Sequence, residues 1–167
     1  MAVLTILKYP HATLLKKALS VKYIDDGIKE LVRDMTETMV SNDGVGLAAP
    51  QVGRSIRLFL AAPQGGKKDV HVFINPAIKE SSGKQCGPEG CLSVPGVFGD
   101  VERAKNVTVT YTDLAGVEKE IKAEGFLARI IQHENDHLDG KVFVDHLGFV
   151  DRKEVLDEYK QLHHISL

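Results

Sequence analysis

The sequence contains no tryptophan and only two cysteines in 167 residues. Two cysteines cannot build the disulfide framework that replaces a core in small secreted domains. No apolar run approaches the roughly 18 residues that a membrane-spanning helix requires. Residues Met1 to Pro10 lack the charged start, long apolar stretch and small-residue cleavage site of a secretory leader. Nor is there an excess of one charge. Lysine and arginine number 21 against 23 acidic residues, a formal net charge of −2, which argues against a nucleic-acid binder resting on a basic patch. Internal repeats and low-complexity stretches are also absent. Hydrophobic residues at 43% and charged residues at 26% match an average globular domain. The length favours one domain over residues 1–167, expected in the cytoplasm as a monomer without nucleic-acid or membrane partners.

What is present is local. From about Asp25 to Ser41, the residues Ile28, Leu31, Val32, Met35 and Met39 recur at spacings of three and four, which predicts a helix. Asp25 or Asp26 can cap it, and Asn42-Asp43-Gly44 ends it. The next segment, Gly44 to Gly53, is too rich in glycine and small residues for an ordinary core element. It reads as backbone that something must approach closely. Strand patterns follow at Ile56–Ala62, Val70–Ile74 and Ala77–Glu80, with Asn75-Pro76 expected to end the second. Gly83 to Gly99 reads as loop or short edge strand. Val107–Tyr111 and Val117–Ala123, joined by Asp113-Leu114-Ala115-Gly116, read as a hairpin. Helical periodicity returns from about Glu124 to Leu138 and again from about Asp151 to His163. Helix, then strands, then helices predicts an α+β fold. Its strands would be mostly antiparallel, around a central helix flanked by an N-terminal and a short C-terminal one.

The sharpest chemical signal lies on that central helix: His133-Glu134-Asn135-Asp136-His137, an H-E-x-x-H. Residues four apart share a helix face, so two imidazoles can grip one metal ion. The glutamate beside the first histidine can take a proton from a metal-activated water. A catalytic site of this kind keeps three protein ligands and one open position. The third ligand is open on spacing alone. Gly140 fits the extended motif, but its third histidine falls on Phe143. Glu154 and Glu158 stand at plausible distances along the last helix. Cys91, set in Glu89-Gly90-Cys91-Leu92-Ser93-Val94-Pro95-Gly96, offers a soft thiolate between glycine-bearing turns. Cys86 reads as a small bystander. His11, His71, His146, His163 and His164 read as surface or hydrogen-bonded histidines.

Three segments together resemble the signature motifs of the peptide deformylase family: Gly44-Val45-Gly46-Leu47-Ala48-Ala49-Pro50-Gln51, Glu89-Gly90-Cys91-Leu92-Ser93 and Gln132-His133-Glu134-Asn135-Asp136-His137-Leu138. They occur in the family's order and spacing. The resemblance extends from Leu7-Lys8-Tyr9-Pro10 to Val142-Phe143-Val144-Asp145. It implies a metallohydrolase that removes the formyl group from N-formylmethionine at the start of newly made polypeptides. By motif position Cys91, His133 and His137 are the metal ligands, and Glu134 is general base and then general acid. Gln51 and the backbone N–H of Leu92 hold the formyl oxygen as it becomes an oxyanion. Val45 and Gly46 line the cleft and bind peptide backbone.

Elementary chemistry agrees with those roles. A formyl carbonyl resists neutral water, and an amide and a backbone N–H can stabilise its oxyanion. Glycines let an extended peptide pair like an added strand. An apolar pocket must take the methionine side chain. The expected substrate-binding set is Val45, Gly46, Glu89, Phe126 and Ile130, with Phe98 a further candidate. A His₂Cys site suits one divalent ion among Fe(II), Zn(II), Co(II) and Ni(II). The resemblance implies Fe(II) as the native metal, and thiolate ligation of Fe(II) makes oxygen sensitivity an expectation. Two departures stand out. Many bacterial relatives carry a basic residue where this chain has Gly96-Val97-Phe98-Gly99. The ribosome is a partner of some relatives through a longer basic C-terminal helix. Here that helix mixes Asp151, Arg152, Lys153, Glu154, Asp157, Glu158 and Lys160, a pattern that reads as a solvated face.

Overall fold

The computed structural model describes residues 2–167. Helix α1 spans Asp26–Ser41, and the Asp25 carboxylate caps it by accepting the Ile28 N–H at 3.0 Å. Its apolar stripe, Ile28, Leu31, Val32, Met35 and Met39, is buried as the periodicity predicts.

Seven strands follow: β1 (Gly46–Ala48), β2 (Leu58–Ala61), β3 (His71–Ser82), β4 (Gln85–Cys91), β5 (Val94–Arg103), β6 (Asn106–Thr112) and β7 (Glu118–Glu124). Five form one antiparallel sheet in the order β1-β2-β3-β6-β7, and β4 with β5 forms a separate hairpin. Helix α2 covers Gly125–Leu138 and helix α3 covers Phe149–His163.

Strand β2 shows how the layers stack. All four of its residues are buried. Side chains alternate across a strand, so Leu58 and Leu60 pack with the α1 stripe while Phe59 and Ala61 pack with Ala128, Ile130 and Ile131 of α2. The sheet is therefore held between α1 and α2. A third cluster joins Val94, Val97 and Val101 of β5 to Val155 and Tyr159 of α3 and to Phe143 and Val144. It fastens the β4–β5 hairpin beside α2.

Two local expectations are corrected. Asn75-Pro76 does not end a strand. Asn75 adopts φ of 50°, the ladder to β6 shifts register there, and β3 continues to Ser82. Its side chain meanwhile accepts the Val21 N–H and donates to the Val21 carbonyl, both at 2.8 Å. The Gly83–Gly99 stretch is the other. Of the two readings, loop or short edge strand, it is strand, and longer than expected: β4 and β5 pair as an antiparallel hairpin, with a register shift between Glu89 and Cys91. Its glycines obscure the strand pattern because they supply bends and close approaches instead of side-chain alternation.

Candidate metal centre and cleft

Helix α2 presents His133 and His137 one turn apart, with ring centroids separated by 5.2 Å. Cys91 ends β4, and its Sγ lies 3.4 Å from His137 Nε2. One ligand atom from each of Cys91, His133 and His137 falls within 4.8 Å of the other two. Glu154 and Glu158 sit exposed on α3 and do not join them, so the structure brings the cysteine, not a glutamate, to the two histidines. Cys86 is exposed and stands apart from the group.

The chemistry of the donors fits a divalent cation. Burial by itself would raise the Cys91 thiol, but His137 and His133 outweigh it and hold the thiol well below its ordinary value. His133 moves the other way. Burial opposes its charge, yet Glu134, Cys91 and Glu89 hold it well above the ordinary imidazole value. A cation shared by one thiolate and two imidazoles supplies the positive charge that these acidic groups draw from His133.

Glu89, expected in the substrate-binding set, carries a carboxylate that is turned into the protein. It borders the cleft, but it is 5% exposed and both its oxygens are engaged. Oε1 pairs with His133 Nδ1 at 2.8 Å and accepts Arg103 Nη2 at 2.8 Å. Oε2 accepts Arg103 Nε at 2.9 Å and Arg129 Nη1 at 2.6 Å. A carboxylate so occupied has no donor capacity and little free acceptor capacity for a peptide. It orients the His133 ring and leaves Nε2 as that residue's ligand atom. Desolvation pushes Glu89 up, but the hydrogen bonds from Arg103 and His133 dominate and hold it far below the usual carboxylate range. Behind it, Arg103 Nη1 reaches Asp136 at 2.6 Å, and Asp136 meets His146 Nε2 at 2.7 Å. Arg103 and Arg129 carried no signal in the sequence, because their side-chain hydrogen-bond partners lie 14 to 43 residues away.

Gln51 sits in a 3-10 turn, Ala49–Val52, directly after β1, and is 1% exposed. Its Oε1 accepts the Ala48 N–H at 2.9 Å. That fixes the amide, so Nε2 points at Ser93 Oγ (3.1 Å) and Cys91 Sγ (3.5 Å). Leu92 lines the cleft, and its carbonyl accepts Lys8 Nζ at 3.1 Å. Ser93 N–H donates to Cys91 Sγ at 3.4 Å.

Glu134 is 4% exposed, and its Oε1 has no hydrogen-bond partner although it lies 4.0 Å from His137 Nε2. Burial is the main cause that pushes its pKa up to about 7; His133 and His137 oppose the rise. An unpartnered buried carboxylate is costly, and such groups mark sites of chemistry.

These residues open onto a cleft of about 420 Å³. Val45, Gly46, Gln51, Glu89, Cys91, Leu92, Phe126, Ile130, His133 and Glu134 all line it. Ile130 is also a core residue, packed with Phe59 and Ile131, whereas Phe126 is 52% exposed at the rim.

Comparison with known proteins extends this picture. Residues 3–153 match the family described as polypeptide deformylase. A peptide deformylase of Endomicrobium trichonymphae is 47% identical over 161 residues, covering 96% of this chain and 96% of its own. The crystal structure of a peptide deformylase from Legionella pneumophila superposes with a TM-score of 0.90 at 43% identity, covering 99% of this chain and all of that one (100%). A peptide deformylase from Ehrlichia chaffeensis, solved in complex with actinonin, gives 0.90 at 39% identity, with 99% and 100% covered.

Proposed function

We infer the function of this chain from its membership and its cleft together: it belongs to the polypeptide deformylase family, and it hydrolyses the N-formyl group from the N-terminal formylmethionine of newly made polypeptides, releasing formate. The observation that carries the reading is the unpartnered, buried Glu134 carboxylate next to three clustered donor atoms.

Cys91, His133 and His137 would hold one divalent cation. Their mixed soft and borderline donors suit Fe(II), proposed as the native ion, and equally accept Zn(II), Ni(II) or Co(II). Such a cation lowers the pKa of water to about 7 and polarises a carbonyl. Glu134 takes the proton released as water oxygen bonds to the formyl carbon. It then delivers that proton to the amine nitrogen as the C–N bond breaks. Its burial, which favours the protonated form, suits a group that holds this proton between the two halves of the shuttle. Gln51 Nε2, preset by the Ala48 N–H, donates to the carbonyl oxygen as charge develops on it, and the Leu92 N–H is the second donor. Gly46 and Val45 receive the peptide backbone, while Val45, Phe126 and Ile130 take the methionine side chain.

The chain is proposed to act as a cytoplasmic monomer on nascent peptides. Among the described residues no helix is long and apolar enough to cross a membrane. The exposed positions of Glu154 and Glu158 disfavour a peptidase with a glutamate third ligand. The test is formate release from formyl-Met-Ala by protein loaded anaerobically with Fe(II), Co(II) or Ni(II). Release is expected with each ion, and its absence with all three overturns the reading.

A further inference from the structure

We propose that the segment Leu7-Lys8-Tyr9 is a strap that sets the spacing of the two oxyanion donors, with Lys8 the positioning residue for Leu92. The proposal rests on the deformylase reading above. The strap works from behind the site: among the described residues that line the cleft, none belongs to this segment.

The two donors come from separate elements. Gln51 lies in the turn after β1, and Leu92 lies between β4 and β5. The N-terminal segment joins the backbones that carry them. The Leu7 N–H donates to the Gln51 carbonyl at 2.7 Å, and the Tyr9 N–H donates to the Ser93 carbonyl at 2.8 Å. Two residues of backbone span at most about 7 Å, so these bonds limit how far the two carbonyls can part.

Lys8 acts between them. Its Nζ donates to the Leu92 carbonyl at 3.1 Å. That carbonyl belongs to the same residue as the donor N–H, so holding it restricts rotation of the Leu92 backbone. A charged donor makes the stronger kind of hydrogen bond. The strap is in turn fixed to the fold at Tyr9. Tyr159, buried on α3, donates its hydroxyl to the Tyr9 carbonyl at 2.8 Å, and the two rings meet edge-on with centroids 6.2 Å apart.

Oxyanion donors act only when both lie about 3 Å from the position that the charged oxygen reaches. A small displacement weakens them in the transition state and leaves the ground-state contacts of the peptide in place. Loosening the strap should therefore lower kcat and spare KM.

The experiment measures kcat and KM on formyl-Met-Ala, with metal content of the same samples, in the parent, Lys8→Met, Lys8→Arg and Tyr159→Phe. Lys8→Met should lower kcat about five-fold, with KM within about two-fold of the parent and metal content unchanged. Lys8→Arg should recover most of the loss, because a guanidinium can donate to the same carbonyl. Tyr159→Phe should lower kcat with KM and metal content likewise unchanged. A parent-like kcat in Lys8→Met or Tyr159→Phe, a loss carried by KM or by metal content, or no recovery in Lys8→Arg overturns this proposal alone. No turnover by the metal-loaded parent overturns the deformylase reading and this proposal with it.

Discussion

Gly46 and Glu134 fit together because position 46 has no side chain. A Cβ there would lie 2.9 Å from the Glu134 carboxyl carbon and closer still to Oε2. Strand β1 and helix α2 thus meet over the Glu134 carboxylate, and the glycine creates its seat. The close approach anticipated for the Gly44–Gly53 segment is here made by a side chain of the protein itself.

Gly46→Ala should therefore displace Glu134 while sparing the metal ligands. The expected loss in kcat is about 10²-fold or more, with metal content unchanged. Steady-state kinetics on formyl-Met-Ala with elemental analysis of the same sample checks both halves. Simultaneous loss of metal would instead place Gly46 in support of the ligands.

Glu134→Gln should separate function from stability. Activity is expected to fall by about 10²- to 10⁴-fold, since only proton transfer is removed. Folding stability of the metal-free protein should rise. Burial places the folded pKa of Glu134 near 7, above its ordinary value of 4.5. The stability associated with the protonated form is complete below 4.5 and is lost as pH rises through about 7. The variant escapes that loss, so its advantage should grow across this window to on the order of 2–3 kcal/mol. Denaturant titrations of metal-free parent and variant at pH 5 and pH 8 measure it, and equal differences at the two pH values would contradict the assignment.

Glu89→Gln should do the opposite. It removes the carboxylate between Arg103, Arg129 and His133 and leaves two guanidinium groups short of their counter-charge. Breaking a buried pair from one side costs about 3–5 kcal/mol, so a lower Tm and a weaker grip on metal are expected. Because the folded pKa of Glu89 is depressed, its stabilisation is present above its ordinary value of 4.5 and is lost only as pH falls well below that. Asp136, depressed mainly through His146 and Arg103 against the pull of burial, behaves likewise. Tm followed from pH 7 down to pH 3 should fall for the parent and fall less steeply for Glu89→Gln.

Cys91→Ala should lose metal affinity, whereas Cys86→Ala should not, since Cys86 lies exposed outside the donor group. Elemental analysis after equal metal loading distinguishes them. Chelator treatment of the parent should abolish formate release, and re-addition of Fe(II) or Co(II) under anaerobic conditions should restore it. Full metal occupancy in Cys91→Ala would remove the cysteine from the ligand set.

Local chemistry made much of this protein legible. The three-and-four spacing of Ile28 to Met39 and a cap at Asp25 or Asp26 placed α1 within one residue, and the structure makes Asp25 the cap. The alternation in Val107–Tyr111 marked β6, and His133, Glu134 and His137 share a helix face wherever that helix packs. The hairpin β4–β5 was hidden because five glycines between Gly83 and Gly99 erase side-chain alternation. The environment of Glu89 was hidden for a similar reason. Its position in a cleft-lining motif is visible locally, but the direction of its carboxylate depends on Arg103 and Arg129, 14 and 40 residues away.

The sequence by itself determined the α+β class, the two histidines with their adjacent glutamate, and the motif triplet that marks the family, because these depend on short-range periodicity and spacing. Spacing alone left the third donor open and only the motif resemblance pointed to Cys91; the tertiary structure brings that thiol to the histidines, and it alone decided that Gly46 seats Glu134 and that Glu89 faces inward to two arginines. Each of those is a contact between elements far apart in the chain, set by how the β4–β5 hairpin and β1 close over α2.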